Sequence, residues 1–168
     1  LSPCMQAWQQ LLQHYPDSAP HQAVDWSHGA LSLQDWLDQL RCRMQGGNPT
    51  YTTWLQLVAR DVARNDAPRL DKLLPVYLRC LAAAATGLVC SSWIVGRDGC
   101  LHIAPLEPEE AREALADVLQ AWHAGQQSPM PLPPKTALAL VQGEDACTAY
   151  EGGHASHGEV EHMAWARL

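Results

Sequence analysis

The sequence predicts an α+β fold: a small, mostly antiparallel sheet flanked by helices. Three observations carry that prediction. The apolar runs VCSSWIV and CLHIAPL face each other across Gly96-Arg97-Asp98-Gly99, a strong hairpin turn. Two long stretches, LDKLLPVYLRCLAAAATG and PLEPEEAREALADVLQAWHAG, repeat their apolar residues at helical spacing. Upstream of both, TYTTWLQLVARDVAR (50–64) opens as a buried strand and ends in positive charge, an arrangement common where a strand delivers its end to an anionic ligand.

Taken in order, Ser2-Pro3 starts a helix with Met5, Trp8, Leu12 and Tyr15 on one face, and Pro16 stops it. PDSAPH (16–21) reads as a linker, and AVDWSHGALSL reads as a hairpin around S-H-G. Residues 33–44 have two readings. Ser32 with Asp35 resembles a capping box, and Leu33, Trp36, Leu37 and Leu40 fit a helical stripe. The same residues serve a strand over 36–44, paired across QGGNP with 51–60. Local pattern favours the helix slightly.

The helix from LDKLL has Leu70, Leu73, Leu74, Tyr77, Leu78, Leu81 and Ala85 on one face. Asp71 is the expected N-cap, Pro75 the fourth helical residue and Gly87 the stop. The next helix starts at Pro108 with Glu109 and Glu110 complementing its dipole. It buries Ala111, Leu115, Val118, Leu119 and Trp122 and ends at Gly125. SPMPLPP then straps across the domain, TALALVQG forms a short helix, and the last segment mixes turn residues with a short final helix.

Composition narrows the function. The 168 residues suffice for one domain, 47% are apolar and only 17% are charged, so with seven Trp some apolar surface is left for a partner. A net charge of -7 argues against a free-standing nucleic-acid binder. Yet Arg41, Arg43, Arg60, Arg64, Arg69, Lys72 and Arg79 fall among only three acids, Asp61, Asp66 and Asp71, so a local basic face is expected. The six cysteines form no C-x-x-C pair and read as reduced thiols. His154, His157 and His162 cluster, but Gly152, Gly153 and Gly158 break any helix that would align them, and no metal site is assigned. No signal peptide and no 18-residue apolar span is visible, so no membrane partner is expected. The chain begins at Leu1 without Met and is expected to be a piece of a longer protein.

Several long segments carry a resemblance. RLDKLLPVYLRCLAAAATG, the hairpin after it, APLEPEEAREALADVLQAWHAGQQSPMPLPPKTALAL and then AYEGG-x4-GEVE are similar, in that order, to the C-terminal domain of RecC. RecC is the gamma subunit of exodeoxyribonuclease V, the RecBCD helicase–nuclease. The resemblance covers about residues 20–168. It implies a degenerate PD-(D/E)XK restriction-endonuclease-like fold in a bacterial, cytoplasmic protein. Such a domain docks on a RecB-type subunit and helps guide the strands of a split double-strand DNA end. The complex, with its RecD-type subunit, uses ATP and Mg²⁺ outside this chain, acts in double-strand break repair and recombination, and responds to Chi. The implied division is an N-terminal helix and linker (1–21) from the preceding part of a larger protein, a nuclease-like core (22–128), and a proline-rich strap with a helical tail (129–168).

An active nuclease of that class needs an Asp on one strand and D/E-x-K on the next, because paired carboxylates hold Mg²⁺ and the lysine stabilises the attacking water or developing charge. If 36–44 and 51–60 are those strands, the first offers Asp35 or Asp38 and the second offers neither carboxylate nor lysine. The only lysines, Lys72 and Lys135, have Leu70 and Pro133 two positions earlier, so D/E-x-K occurs nowhere in the chain. No residue is assigned a catalytic role. The alternative is an active nuclease whose residues have migrated, and a third reading is an unrelated α+β domain.

Candidate DNA contacts are Arg41, Arg43, Arg60, Arg64, Arg69 and Lys72, since phosphate contacts need positive charge rather than a motif. Against this stands a solvated face paired with Asp61, Asp66 and Asp71. Trp8, Trp36, Trp54, Trp93 and Trp122 are expected in the core rather than stacked on bases, the glycines of YEGG in turns, and His102 and His123 outside any proton transfer.

Overall fold

In the computed structural model of this chain, residues 2–64, 67–128, 133–153 and 156–161 are described. The chain divides into two compact units, 1–122 and 123–168.

The first unit opens with α1 (Pro3–His14), entered through Ser2 and the Pro of its first turn. The stretch expected to be a linker contributes a short edge strand, β1 (Asp17–Ser18). β2 (Gln22–His28) and β3 (Leu31–Leu37) form the expected hairpin, turning on Gly29 at φ 59°. β4 (Leu40–Gln45) and β5 (Asn48–Leu57) pair antiparallel across Gly46-Gly47, whose φ values of 60° and 84° suit a two-residue hairpin turn that side chains would strain. Residues 33–44 are therefore two strands, and the slight preference for a helix is corrected. The apolar residues Leu31, Leu33 and Leu37 also lie on one face at period two, and pairing of Leu37 with Gln22 decides between the patterns. Gln39, at φ 56°, makes the break between β3 and β4.

Short strands β6 (Ala63–Arg64) and β7 (Ala67–Pro68) lead into α2 (Leu70–Ala85). β8 (Cys90–Val95) and β9 (Cys100–Ile103) are the hairpin around the GRDG turn, and α3 (Pro108–Gln127) follows. The main sheet runs β1-β4-β5-β8-β9; only β5 and β8 are parallel, as α2 connects them. β5 is central. Thr53, Trp54 and Leu55 are buried in succession, which requires cover on both faces. Trp54 faces α2, where Val76, Cys80 and Ala83 meet Val24, Leu37, Leu40, Cys90 and Ile94 in the core. Leu55, on the opposite face, lines an open groove with Trp8 and Leu12 of α1.

The two long helices lie where the periodicity predicts, with corrected details. The N-cap of α2 is Arg69, whose carbonyl accepts from the N–H groups of Lys72 and Leu73 at 2.9 and 3.2 Å. Pro75 is thus the sixth helical residue and removes a hydrogen bond to the Asp71 carbonyl. The expected stripe is covered only in part: Leu73 packs on the main core, and Leu78 and Leu81, with Ala84, pack with Ala111 and Ala114 of α3, whereas Leu70, Leu74 and Tyr77 stay 42%, 53% and 40% exposed. α3 continues past Gly125 to Gln127, and Trp122, expected in the core, is 57% exposed.

In the second unit, α4 (Pro134–Gln142) is capped from a distance. The Glu159 carboxylate accepts from the Lys135 and Thr136 N–H groups at 2.9 and 2.8 Å. Asp145 caps α5 (Ala146–Glu151) from within its own turn. The YEGG glycines, expected in turns, form the short strand β10 (Gly152–Gly153) as α5 ends at Gly152, φ 87°; β10 pairs with β11 (Ser156–His157) before a 3-10 turn, Glu159–Glu161. Gly158 allows that turn: an added Cβ would lie 2.3 Å from the Tyr150 carbonyl oxygen. The core of the expected proline strap (129–132), His154, His162 and the expected final helix lie outside the described residues.

Candidate nucleic-acid interface

The expected pairing of the strands within 36–44 and 51–60 is present, with Leu40 opposite Trp54 and Arg41 opposite Thr53. The acids and strand residues that the expected nuclease centre would draw on are engaged otherwise. Asp38, just before β4, receives a 2.8 Å hydrogen bond from Arg79 Nη2 of α2. The same guanidinium lies 3.9 Å over the Trp54 ring, a cation–π stack. The Arg79 hydrogen bond holds the Asp38 carboxyl below its ordinary range, so it stays an anion already matched by a cation. Asp35 accepts from the N–H of Trp36 at 2.7 Å. Thr53 turns inward to Ser91, whose hydroxyl donates to Thr53 Oγ1 at 2.9 Å. Among the described residues, no three His, Cys, Asp or Glu side chains come together as a metal-holding group.

The six candidate cations fall into separate groups. Arg41 and Arg43 project from β4 to the C-terminus of α1. Arg41 donates to the Tyr15 and Pro16 carbonyls at 2.8 and 2.6 Å, and Arg43 donates to the His14 carbonyl at 3.0 Å. They satisfy carbonyls that a helix end leaves without partners, where positive charge also suits the helix dipole. Arg41 additionally lines the groove between α1 and the sheet, about 420 Å³ in volume, with Trp8 and His21.

The others gather beyond the C-terminal end of β5. Arg69 and Lys72 flank Asp71 at 3.4 and 2.9 Å, and together they outweigh the burial that would raise its pKa and hold it below the ordinary range. Arg60 is exposed and makes no ion pair among the described residues. The side chain of Arg64 lies outside the described part of the chain, as does Asp66.

Sequence reasoning missed what holds this end in place. The GRDG turn was legible only as a turn, yet it clasps the loop after β5. Arg97 grips the Asp61 carboxylate through Nε and Nη2 at 2.9 and 2.8 Å. Asp98 accepts from the Val62 and Ala63 N–H groups at 2.8 and 3.0 Å, which hold its carboxyl below the ordinary range. The Arg97 N–H donates to the Arg60 carbonyl at 3.0 Å. The acids expected to neutralise the arginines therefore do so in part, but with Arg97 as the partner of Asp61.

The tryptophans divide as well. Trp54 is 6% exposed, as expected, and Trp93 stacks on His102 with ring centroids 4.1 Å apart. Trp36, expected in the core, is 62% exposed because it alternates with the inward Leu37 on β3. No helix among the described residues is long and apolar enough to cross a membrane.

No curated protein matches the chain. A family model described as the RecC C-terminal domain matches residues 1–145, starting ahead of the segment that carries the resemblance and stopping short of AYEGG. With that match spanning most of its length, the chain belongs to the RecC C-terminal domain family.

Proposed function

We propose that this is a non-catalytic, nuclease-like domain of a RecC-type subunit of the RecBCD helicase–exonuclease. It acts in double-strand break repair and homologous recombination by docking a RecB-type subunit and guiding the split DNA strands. In this reading ATP and Mg²⁺ are used by the RecB-type and RecD-type partners in the cytoplasm, and this chain contributes shape and charge. One observation carries the reading: β5 carries Thr53, Trp54 and Leu55 at its buried centre, with Arg79 rather than a metal-binding second carboxylate against Asp38. The uncovered ridge of Leu70, Leu74 and Tyr77 on α2, with Trp36 on β3, supports docking to another protein, since such apolar side chains are otherwise left in water. Arg60, with Trp8 and His21 of the groove between α1 and the sheet, supports strand contact through charge and stacking.

The test is digestion of single-stranded DNA by the purified chain with Mg²⁺. The expected result is no cleavage above a mock purification. Mg²⁺-dependent cleavage that co-purifies with the chain and is abolished by Asp38→Asn would replace this reading with the active nuclease.

A further inference from the structure

The start of α1 meets the sheet beside two thiols. Leu101 and Ile103 of β9 pack on the core under α2. Successive side chains on a strand point to opposite faces, so Cys100 and His102 belong to the other face. That face also carries Trp93, which stacks on His102, and Leu55, which pairs with Trp93 and shares a groove with Trp8 and Leu12 of α1. Cys100 pairs with Val95 where this face ends at the GRDG turn. The first turn of α1 reaches the same end: Cys4 Sγ donates to the Arg97 carbonyl at 2.9 Å, within the turn that runs into Cys100. The two sulfurs also influence each other. The Cys100 thiol is pushed up first by desolvation and then by the charge of Cys4, an effect that weakens with distance.

We propose that Cys4 and Cys100 are a redox-sensitive pair that closes to a disulfide and ties the start of α1 to the GRDG turn. The other cysteines are poorer candidates. Cys42, Cys80 and Cys90 are buried, and burial pushes the Cys90 thiol up to about 12, which keeps its thiolate scarce. Cys147 is exposed but belongs to the second unit. Cys100 is exposed and Cys4 half-buried, so a small disulfide such as oxidised glutathione meets Cys100 first. The Cys100 thiolate attacks one sulfur of that reagent, releases one glutathione thiolate and becomes a mixed disulfide. The Cys4 thiolate then attacks Cys100 Sγ and releases the second glutathione. Two protein thiols are oxidised, one reagent disulfide is reduced to two thiols, and the two protons pass to the departing glutathiones. Closure takes the Cys4 donor from the Arg97 carbonyl, which sits on an exposed residue where water replaces it. In exchange, a covalent bond joins α1 to the turn whose Asp98 and Arg97 already hold the loop of Arg60. The tether stands whether or not the domain docks or guides anything.

The test incubates the reduced chain with oxidised glutathione, blocks the remaining thiols with N-ethylmaleimide and reads a non-reducing digest by mass spectrometry. The expected product is an intramolecular link between the peptides of Cys4 and Cys100, dominant in native buffer and no commoner than other links in denaturant. Its formation raises the melting midpoint, since a cross-link between distant positions restricts the unfolded chain. A thiol reductant reverses the rise, and Cys4→Ser or Cys100→Ser abolishes it. The linked peptide is read on the unmodified chain, so it decides even where a variant fails to fold. Glutathione adducts that never resolve, links among other cysteines instead, a Cys4–Cys100 link that forms as well in denaturant, or a linked chain that melts where the reduced one does would overturn the proposal.

Discussion

The middle of β5 and its C-terminal end use charge in opposite ways. Beside the middle, Arg41 and Arg43 on β4 point into the backbone of α1 and are consumed by carbonyls. At the end, the clasp from the GRDG turn uses Asp98 and Arg97 to hold the loop, the latter through Asp61, leaving Arg60 in solvent. Six cations that look equivalent along the chain are therefore not one surface. Arg41 and Arg43 stand opposite Thr53 and Tyr51, while Arg60 lies beyond Leu57; at ~3.3 Å per residue this separates them by more than a turn of contact. What an arginine does is set by whether unpaired carbonyls lie within its reach.

The sharpest way to break the comparison is at the clasp. Gly96 has no room for a side chain: an added Cβ would meet Val62 Cγ1 and Cγ2 at 2.7 Å and the Arg60 carbonyl oxygen at 2.8 Å. Gly99, three residues on, has nothing within 4 Å. Gly96→Ala is expected to lower stability by about 1–3 kcal/mol through overpacking, while Gly99→Ala stays close to the parent. Thermal melting of the two variants checks this, and equal midpoints would mean that the turn does not press on the loop.

A smaller effect is expected in the middle. Arg41→Ala removes two hydrogen bonds to the exit of α1, for a loss of about 1–2 kcal/mol, whereas an exposed arginine without such partners changes stability by no more than ~0.5 kcal/mol. Chemical denaturation of Arg41→Ala beside Arg60→Ala compares the two ends directly. A neutral Arg41→Ala would return that residue to the solvated face and to the list of free DNA contacts.

Much of the frame was legible because its signals are local. Glycine pairs and GRDG fix hairpins within a few residues, and the periodicity of α2 and α3 needs no partner to be read. The absence of D/E-x-K is likewise visible without a structure. What escaped depends on distant residues. Arg41 meets Tyr15 across 26 positions, Arg79 meets Asp38 across 41, and Arg97 meets Asp61 across 36. No local pattern says which arginine is spent. Residues 33–44 were ambiguous for a related reason: their apolar spacing satisfies both a helix and a strand, and the break at Gln39 uses a positive φ without the Gly or Asn that would announce it. Periodicity predicts the whole apolar face of α2 buried because it reports which residues share a face, not which part of that face another element covers.

The least disruptive change is the most informative about function. Arg60→Ala is expected to leave the fold intact, because its side chain holds nothing among the described residues while its backbone carbonyl, which the substitution keeps, receives the Arg97 N–H. If Arg60 contacts a phosphate, its removal weakens single-strand binding without regard to sequence and reduces the slope of log affinity against log salt by about 1. Arg43→Ala serves as the matched control: it is also an exposed cation, but its Nε is spent on the His14 carbonyl, so its loss is expected to change the slope less. A salt titration of the three proteins with one oligonucleotide separates the possibilities. Equal slopes for all three would show that the charge beyond β5 is a solvated face, and a larger change for Arg43→Ala would move the DNA path to the α1 side of the sheet.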